Sequence, residues 1–230
     1  MPLRDCPLVG FDTETTGTST QKDRIVTAAL VRRAADGTTT ERAWLINPGV
    51  EIPAVATAVH GITTEFARAN GQEPAQALEA IAAQLANALA SGLAVVAFNA
   101  SFDLRILEAE LARNGLESLS QRLGGEVRPV LDPLVIDRGV DRYRRGKRKL
   151  GDLMGHYRIR QTEHLHDAAA DVRATIAVLD AIAVKFSEVN QMDLGDLHSK
   201  QQAWHKDWAT SFNQFLESKG RAPDVDLRWP

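Results

Sequence analysis

The sequence predicts an α/β fold: a mixed five-stranded sheet, with a three-stranded antiparallel meander joined to parallel strands, flanked by helices and followed by a C-terminal helical extension. Three features point to it. Two strand-like runs, 24–33 and 38–46, meet at Asp36-Gly37, a strong hairpin signal, and follow an apolar run at 7–13. The stretch LAVVAF at 93–98 is apolar throughout, as expected of a strand covered on both faces. From residue 74 onward, helical periodicity alternates with short strand-like runs.

In order along the chain, PLVGFDT (7–13) reads as a buried first strand ending in acidic and hydroxyl residues, and a Thr/Ser/Gly turn leads to the hairpin. Asn47-Pro48-Gly49 closes the meander, and 54–60 and 63–69 read as short helices divided by Gly61. Pro74 opens a longer helix whose Leu78, Ile81, Leu85 and Leu89 fall at spacings of 3 and 4. After the 93–98 strand, 101–113 is expected to be a helix stopped by Asn114-Gly115, and 129–135 a last short strand. Helices over 149–157 and 167–185 complete a core domain of residues 1–186.

Residues 187–230 read as a linker and an amphipathic helix over 198–218. Trp204, Trp208, Phe212 and Phe215 fall on one face of that helix, at spacings of 4, 4 and 3. That face must be buried, against the core or in a partner's groove.

The composition is that of an ordinary folded protein, with 44% hydrophobic and 25% charged residues and a formal net charge of −3. The near-neutral balance argues against coating nucleic acid by bulk charge. No apolar run approaches the roughly 18–20 residues that span a bilayer, and no signal peptide is apparent, so a cytoplasmic protein without membrane association is expected. The single cysteine, Cys6, excludes an internal disulfide and a cysteine-based zinc site.

Acids stand where burial is expected. Asp12 and Glu14, two residues apart at the end of a strand, point to one face. Asp103 begins the helix after the buried strand, and Asp171 begins a later one. Four carboxylates at 4 Å would repel by roughly 4 kcal/mol per pair at an effective dielectric of about 20. Such a cluster persists only when protonated or filled by cations. All-oxygen donors favour Mg²⁺ or Mn²⁺, two ions balancing four charges.

FDTETTG (11–17), NASFD (99–103) and HDAAAD (166–171) together resemble the three motifs of the DEDDh branch of the DEDD exonuclease superfamily, over roughly residues 7–185. The branch assignment rests on His166, five residues before Asp171. The resemblance implies an RNase H-like sheet and hydrolysis from the 3′ end to nucleoside 5′-monophosphates. It also implies that Asp12 bridges two metals, that Glu14 and Asp171 complete the nucleophile-side ion, that Asp103 supports the second through water, and that His166 is the general base. Asp167 reads as a helix-start residue.

Around this set, VHGIT (59–63) resembles the family's terminal-nucleotide pocket, with His60 stacking on or bonding the last nucleotide or serving as a cap. Phe102 would wedge against terminal bases or fill the core. Thr13, Thr15 and Thr16 would offer backbone or hydroxyl donors to the scissile nucleotide. The 138–149 segment holds seven basic residues against one acid and resembles the family's basic stretch, which makes Arg144, Arg145 and Lys147 candidate phosphate contacts. The expected substrate is a single-stranded or frayed 3′ end, DNA favoured over RNA, in proofreading, repair or phage-type replication with a possible polymerase partner. An RNA-trimming enzyme and a non-catalytic nucleic-acid or polymerase-binding module are the alternatives.

Overall fold

The computed structural model describes residues 2–160 and 167–230. After a short 3-10 turn come strands β1 (Leu8–Thr15), β2 (Ile25–Arg33) and β3 (Thr39–Leu45), then helices α1 (Ala54–His60), α2 (Thr64–Asn70) and α3 (Pro74–Ala90). Next are β4 (Ala94–Val96), α4 (Ala100–Arg113), α5 (Leu119–Leu123), β5 (Val130–Leu131) and α6 (Pro133–Val140). The chain ends with α7 (Leu150–His156), α8 (Ala168–Lys185), α9 (Ser187–Gln191) and α10 (Leu194–Ser218).

The sheet runs β3-β2-β1-β4-β5. Its first three strands form the antiparallel meander, and β4 and β5 join parallel to β1. Period-2 alternation divides the core. Val9, Phe11, Ala28, Leu30 and Trp44 pack with α3 and α4 on one face, whereas Leu8, Ala29, Val31 and Val96 pack with α8 on the other. Gly10 permits the tightest approach, since a Cβ there would lie 2.3 Å from Val172 Cγ1 of α8. Helix α8 is thereby pressed onto β1 two residues before Asp12.

The structure corrects the strand expected over 129–135: only Val130–Leu131 pairs, and Pro133–Val140 is helix. The apolar residues there suit a buried helix as well as a buried strand, and the backbone choice falls to Asp132-Pro133. Asp132 accepts a hydrogen bond from Leu134 N at 2.9 Å, and proline occupies the first helical turn. The final helix also starts earlier than expected, at Leu194, where the Asp193 side chain accepts from Gly195 N.

Helix α10 covers the edge that β5 would otherwise expose. Val130 N donates to His198 Nδ1 (3.1 Å), Gln201 Nε2 donates to Val130 O (3.0 Å), and Asp132 N donates to Gln201 Oε1 (2.7 Å). Two side chains thus replace the neighbouring strand β5 lacks. The aromatic stripe divides. Trp204 lies against both cores and flush on Gly139, and Trp208 lies 3.6 Å from the Arg138 guanidinium carbon, while Phe212 and Phe215 are 36% and 53% exposed. The terminal segment folds back along α10, bonded through Asn213 and Val225, and buries Trp229 beside His198. No helix among the described residues is long and apolar enough to cross a membrane.

Candidate active site

Asp12 and Glu14 occupy alternate positions of β1, on the face packed by α8, and pairing with β2 shifts register just beyond Glu14. Helix α8 is capped by Asp167, whose side chain accepts from Ala169 N (3.0 Å) and Ala170 N (3.1 Å); this sets Asp171 in the first turn. Carboxylate oxygens of Asp12, Glu14 and Asp171 lie within 4.8 Å of one another. Asp167 is spent on the cap, as expected.

Asp103 stands in the first turn of α4, 3% exposed, and its Oδ1 accepts from Thr13 N (3.0 Å) and Thr13 Oγ1 (2.7 Å). The start of α4 is held by Asp132, which accepts from Asn99 N and Ala100 N, both at 3.0 Å; Asn99 adopts the left-handed conformation at φ 62°. One buried carboxylate therefore caps α4 and α6 and fixes where Asp103 emerges.

The electrostatics follow from crowding like charges in a partly desolvated edge, where Asp103 is buried and Asp12, Glu14 and Asp171 are partly so. Burial raises Asp12 well above the ordinary carboxylate range, and Asp103, Asp171 and Glu14 push it further. Burial also takes Glu14 to about 7, with help from Asp171 and Asp103. Asp103 rises to about 7 through burial, against the lowering effect of its two bonds from Thr13. Among the described residues neither Asp12 nor Glu14 has an ion pair that offsets this repulsion. Hard carboxylate oxygens at this spacing fit a divalent cation.

The surrounding candidates divide into those that face this edge and those used elsewhere. His60 ends α1, accepts from Ile62 N at Nδ1 (3.1 Å), and lines a cleft of about 370 Å³ together with Glu14 and Phe66. Phe66, half exposed on α2, has little sequence signal beyond being an aromatic among Glu65, Arg68 and Asn70 in a polar helix, and sequence reasoning misses it. Phe102 is half-buried against the α3-side core. The Thr13 hydroxyl is committed to Asp103, that of Thr15 donates to Gly17 O, and that of Thr16 donates to Asp23. All three hydroxyl protons therefore serve the fold of this edge.

In the basic segment, Arg144 bonds the fully buried Asp137 at 2.9 Å, where Arg148 and the Tyr157 hydroxyl also converge. Arg144 is therefore a strut. Arg145 and Lys147 stay exposed, with no ion pair among the described residues. His166 lies outside the described residues.

Residues 9–179 match the RNase T family model, described as an exonuclease. The DNA polymerase III PolC-type protein of Streptococcus sanguinis (strain SK36) is 31% identical over 199 residues, which span 84% of this chain and 12% of that protein. A DNA polymerase III subunit epsilon-like protein of Rhodobacter capsulatus is 40% identical over 111 residues, 46% of this chain and 15% of that one. The chain thus corresponds to a small part of each curated relative. A moderately thermophilic exonuclease I from Methylocaldum szegediense has a similar structure, with TM-score 0.66 and 25% identity, covering 80% of this chain and 42% of that one.

Proposed function

Because this chain belongs to the RNase T exonuclease family, we propose that it hydrolyses single-stranded or frayed 3′ ends of DNA to nucleoside 5′-monophosphates, in a replication, proofreading or repair setting. The observation that carries this reading is the set of Asp12, Glu14 and Asp171, three carboxylates within 4.8 Å and strained by mutual repulsion. The preference for DNA is supported by the DNA polymerase III relatives.

In this reading Asp12, Glu14 and Asp171 hold the divalent cations, with Asp103 supporting the second position. Bound cations supply charge stabilisation for the reacting phosphate and its leaving 3′ oxygen. The protein's own residues do the rest. Thr13 keeps the Asp103 carboxylate turned toward β1 through two hydrogen bonds. His166 takes the proton of the attacking water, a task suited to an imidazole of ordinary pKa near 6.5. His60 and Phe66 border the cleft beside Glu14 and position the terminal nucleotide, the exposed ring of Phe66 offering a stacking surface. Arg145 and Lys147 contact phosphates upstream.

The test is a time course on 5′-labelled single-stranded DNA and RNA of one sequence, with Mg²⁺ or Mn²⁺, for wild type and His166→Ala. A ladder shortening from the 3′ end, faster on DNA and slowed about 10²–10⁴-fold by the substitution, is expected. Faster shortening of RNA would make this an RNA-trimming enzyme. No cleavage of either strand with cations bound would leave a binding module.

A further inference from the structure

On the opposite face of the sheet from the carboxylates, a cleft of about 410 Å³ opens between α3 and the β2-β3 hairpin. Its volume is within the range of small-molecule sites. Two guanidinium groups line it. In the β2-β3 register Leu30 faces Arg42 and Arg32 faces Thr40, so Arg32 and Arg42 are diagonal neighbours on one face. Among the described residues neither arginine is within ion-pair distance of a carboxylate. The acid on the rim, Glu41, is one residue out of phase on β3, and its carboxylate pairs with Arg173 of α8 at 2.5 Å.

Both guanidinium groups are exposed, and as diagonal neighbours on one face they present donors that one anion at this end of the cleft can share. Arg42 is braced, its guanidinium carbon 5.0 Å from the centroid of the buried Trp44 ring. The rest of the lining is neutral and differs in kind. Leu30 and Leu93 supply an apolar floor, and α3 contributes the amides of Gln84 and Asn87. Gln84 Nε2 is spent on Ala80 O, which leaves its Oε1 as an acceptor. The Asn87 side-chain amide has no hydrogen-bond partner among the described residues.

Two cations at one end, an apolar slot, and an amide donor and acceptor along one wall complement a phosphorylated planar heterocycle. We propose that this cleft binds a nucleoside monophosphate, with its phosphate on Arg32 and Arg42 and its base against Leu30 and Leu93, edge toward Gln84 and Asn87. The site is separate from the Asp12 edge and does not depend on the exonuclease reading.

Isothermal titration of the full chain in EDTA and Tris-chloride, with dTMP, thymidine and inorganic phosphate, tests it. EDTA leaves the carboxylate edge without cations, which makes that edge repel a phosphate. One equivalent of dTMP is expected to bind wild type and Asp12→Asn alike, and the Arg32→Gln/Arg42→Gln double variant at least tenfold more weakly. Asn87→Leu, which keeps both charges, should weaken dTMP binding while sparing inorganic phosphate. Thymidine and phosphate alone should each bind at least tenfold more weakly than dTMP. Absence of dTMP binding, binding unchanged in the double variant, or loss of binding in Asp12→Asn would each overturn the site. Phosphate binding as tightly as dTMP would overturn its nucleotide character.

Discussion

Two regions use buried polar groups in opposite ways. At the carboxylate edge, Asp12, Glu14 and Asp171 come within 4.8 Å of one another near Asp103, although Asp103 and Asp171 raise the cost of ionising both Asp12 and Glu14. At the β5 seal, His198 and Gln201 reach Val130 and Asp132 from α10, and the backbone donors and acceptors they meet are satisfied. The first arrangement weakens the cation-free fold and gains from a ligand; the second strengthens the fold and asks for none. Crowded like charge therefore marks the candidate active edge, and satisfied burial its support.

The largest effect should come from removing a charge at the first region. Under the proposed function, Asp12→Asn is expected to lower exonuclease turnover by about 10³-fold or more, because it removes a carboxylate proposed to hold the cations. The same change should raise the melting temperature of cation-free protein at pH 8, because a partly buried carboxylate repelled by its neighbours is gone. Activity assays paired with melts in EDTA check both halves. A drop in melting temperature without added cation would show that Asp12 is structural.

At the seal the sign reverses. Gln201→Leu leaves Asp132 N and Val130 O without these partners, at roughly 1–3 kcal/mol for each buried unsatisfied group. For a chain of this size each kcal/mol moves the midpoint by about 2–4 °C, so a fall of several degrees is expected. Turnover per folded molecule should change far less than in Asp12→Asn. If the melting temperature holds, the α10 docking is not what stabilises β5.

The two regions are unequally legible in the sequence. Asp12 and Glu14 are visible because strand alternation alone puts them on one face, and Asp103 and Asp171 because each opens a helix after a recognisable boundary. Asp167 is separable from them as a cap, since an N-cap acid that bonds the helix amides cannot also serve a cation freely. The seal has no local signal. His198 and Gln201 find partners some 70 positions away, and a polar residue on an amphipathic helix looks the same whether it meets water or a strand edge. The basic segment is legible as charge, but the inward turn of Arg144 to Asp137 depends on a helix over 133–140, where the apolar pattern suits a strand equally well.

The contrast also predicts opposite pH slopes. Glu14 and Asp103, raised to about 7 when folded, bind protons more tightly in the native state. Cation-free protein should therefore lose stability as pH rises from about 4 toward 7. Burial lowers the His198 imidazole, with Arg128 adding to the effect while the bond to Val130 and the nearby Glu126 oppose it. The unfolded chain then takes up a proton near pH 6.5 that the native state refuses, and stability is lost as pH falls below that value. Denaturant unfolding in EDTA from pH 4.5 to 8 should show the rising-pH loss reduced in Asp12→Asn and the falling-pH loss reduced in His198→Gln. Parallel profiles for the three proteins would remove the distinction.

The smallest effect separates charge that holds the fold from charge that meets a ligand. Arg144 cannot serve as the probe, because removing it strands the buried Asp137 carboxylate and mixes stability with binding. Arg145 and Lys147 are exposed and unpaired among the described residues, so replacing both with glutamine should shift stability by no more than about 0.5 kcal/mol. If they meet phosphates, the slope of log affinity for single-stranded DNA against log salt should flatten by roughly 0.7 for each phosphate that no longer meets a cation, about 1.4 for the pair. Cleavage of a dinucleotide too short to reach them should be unchanged. An unaltered slope would make the exposed half of this segment a solvated surface, with structural tasks left to Arg138, Arg144 and Arg148.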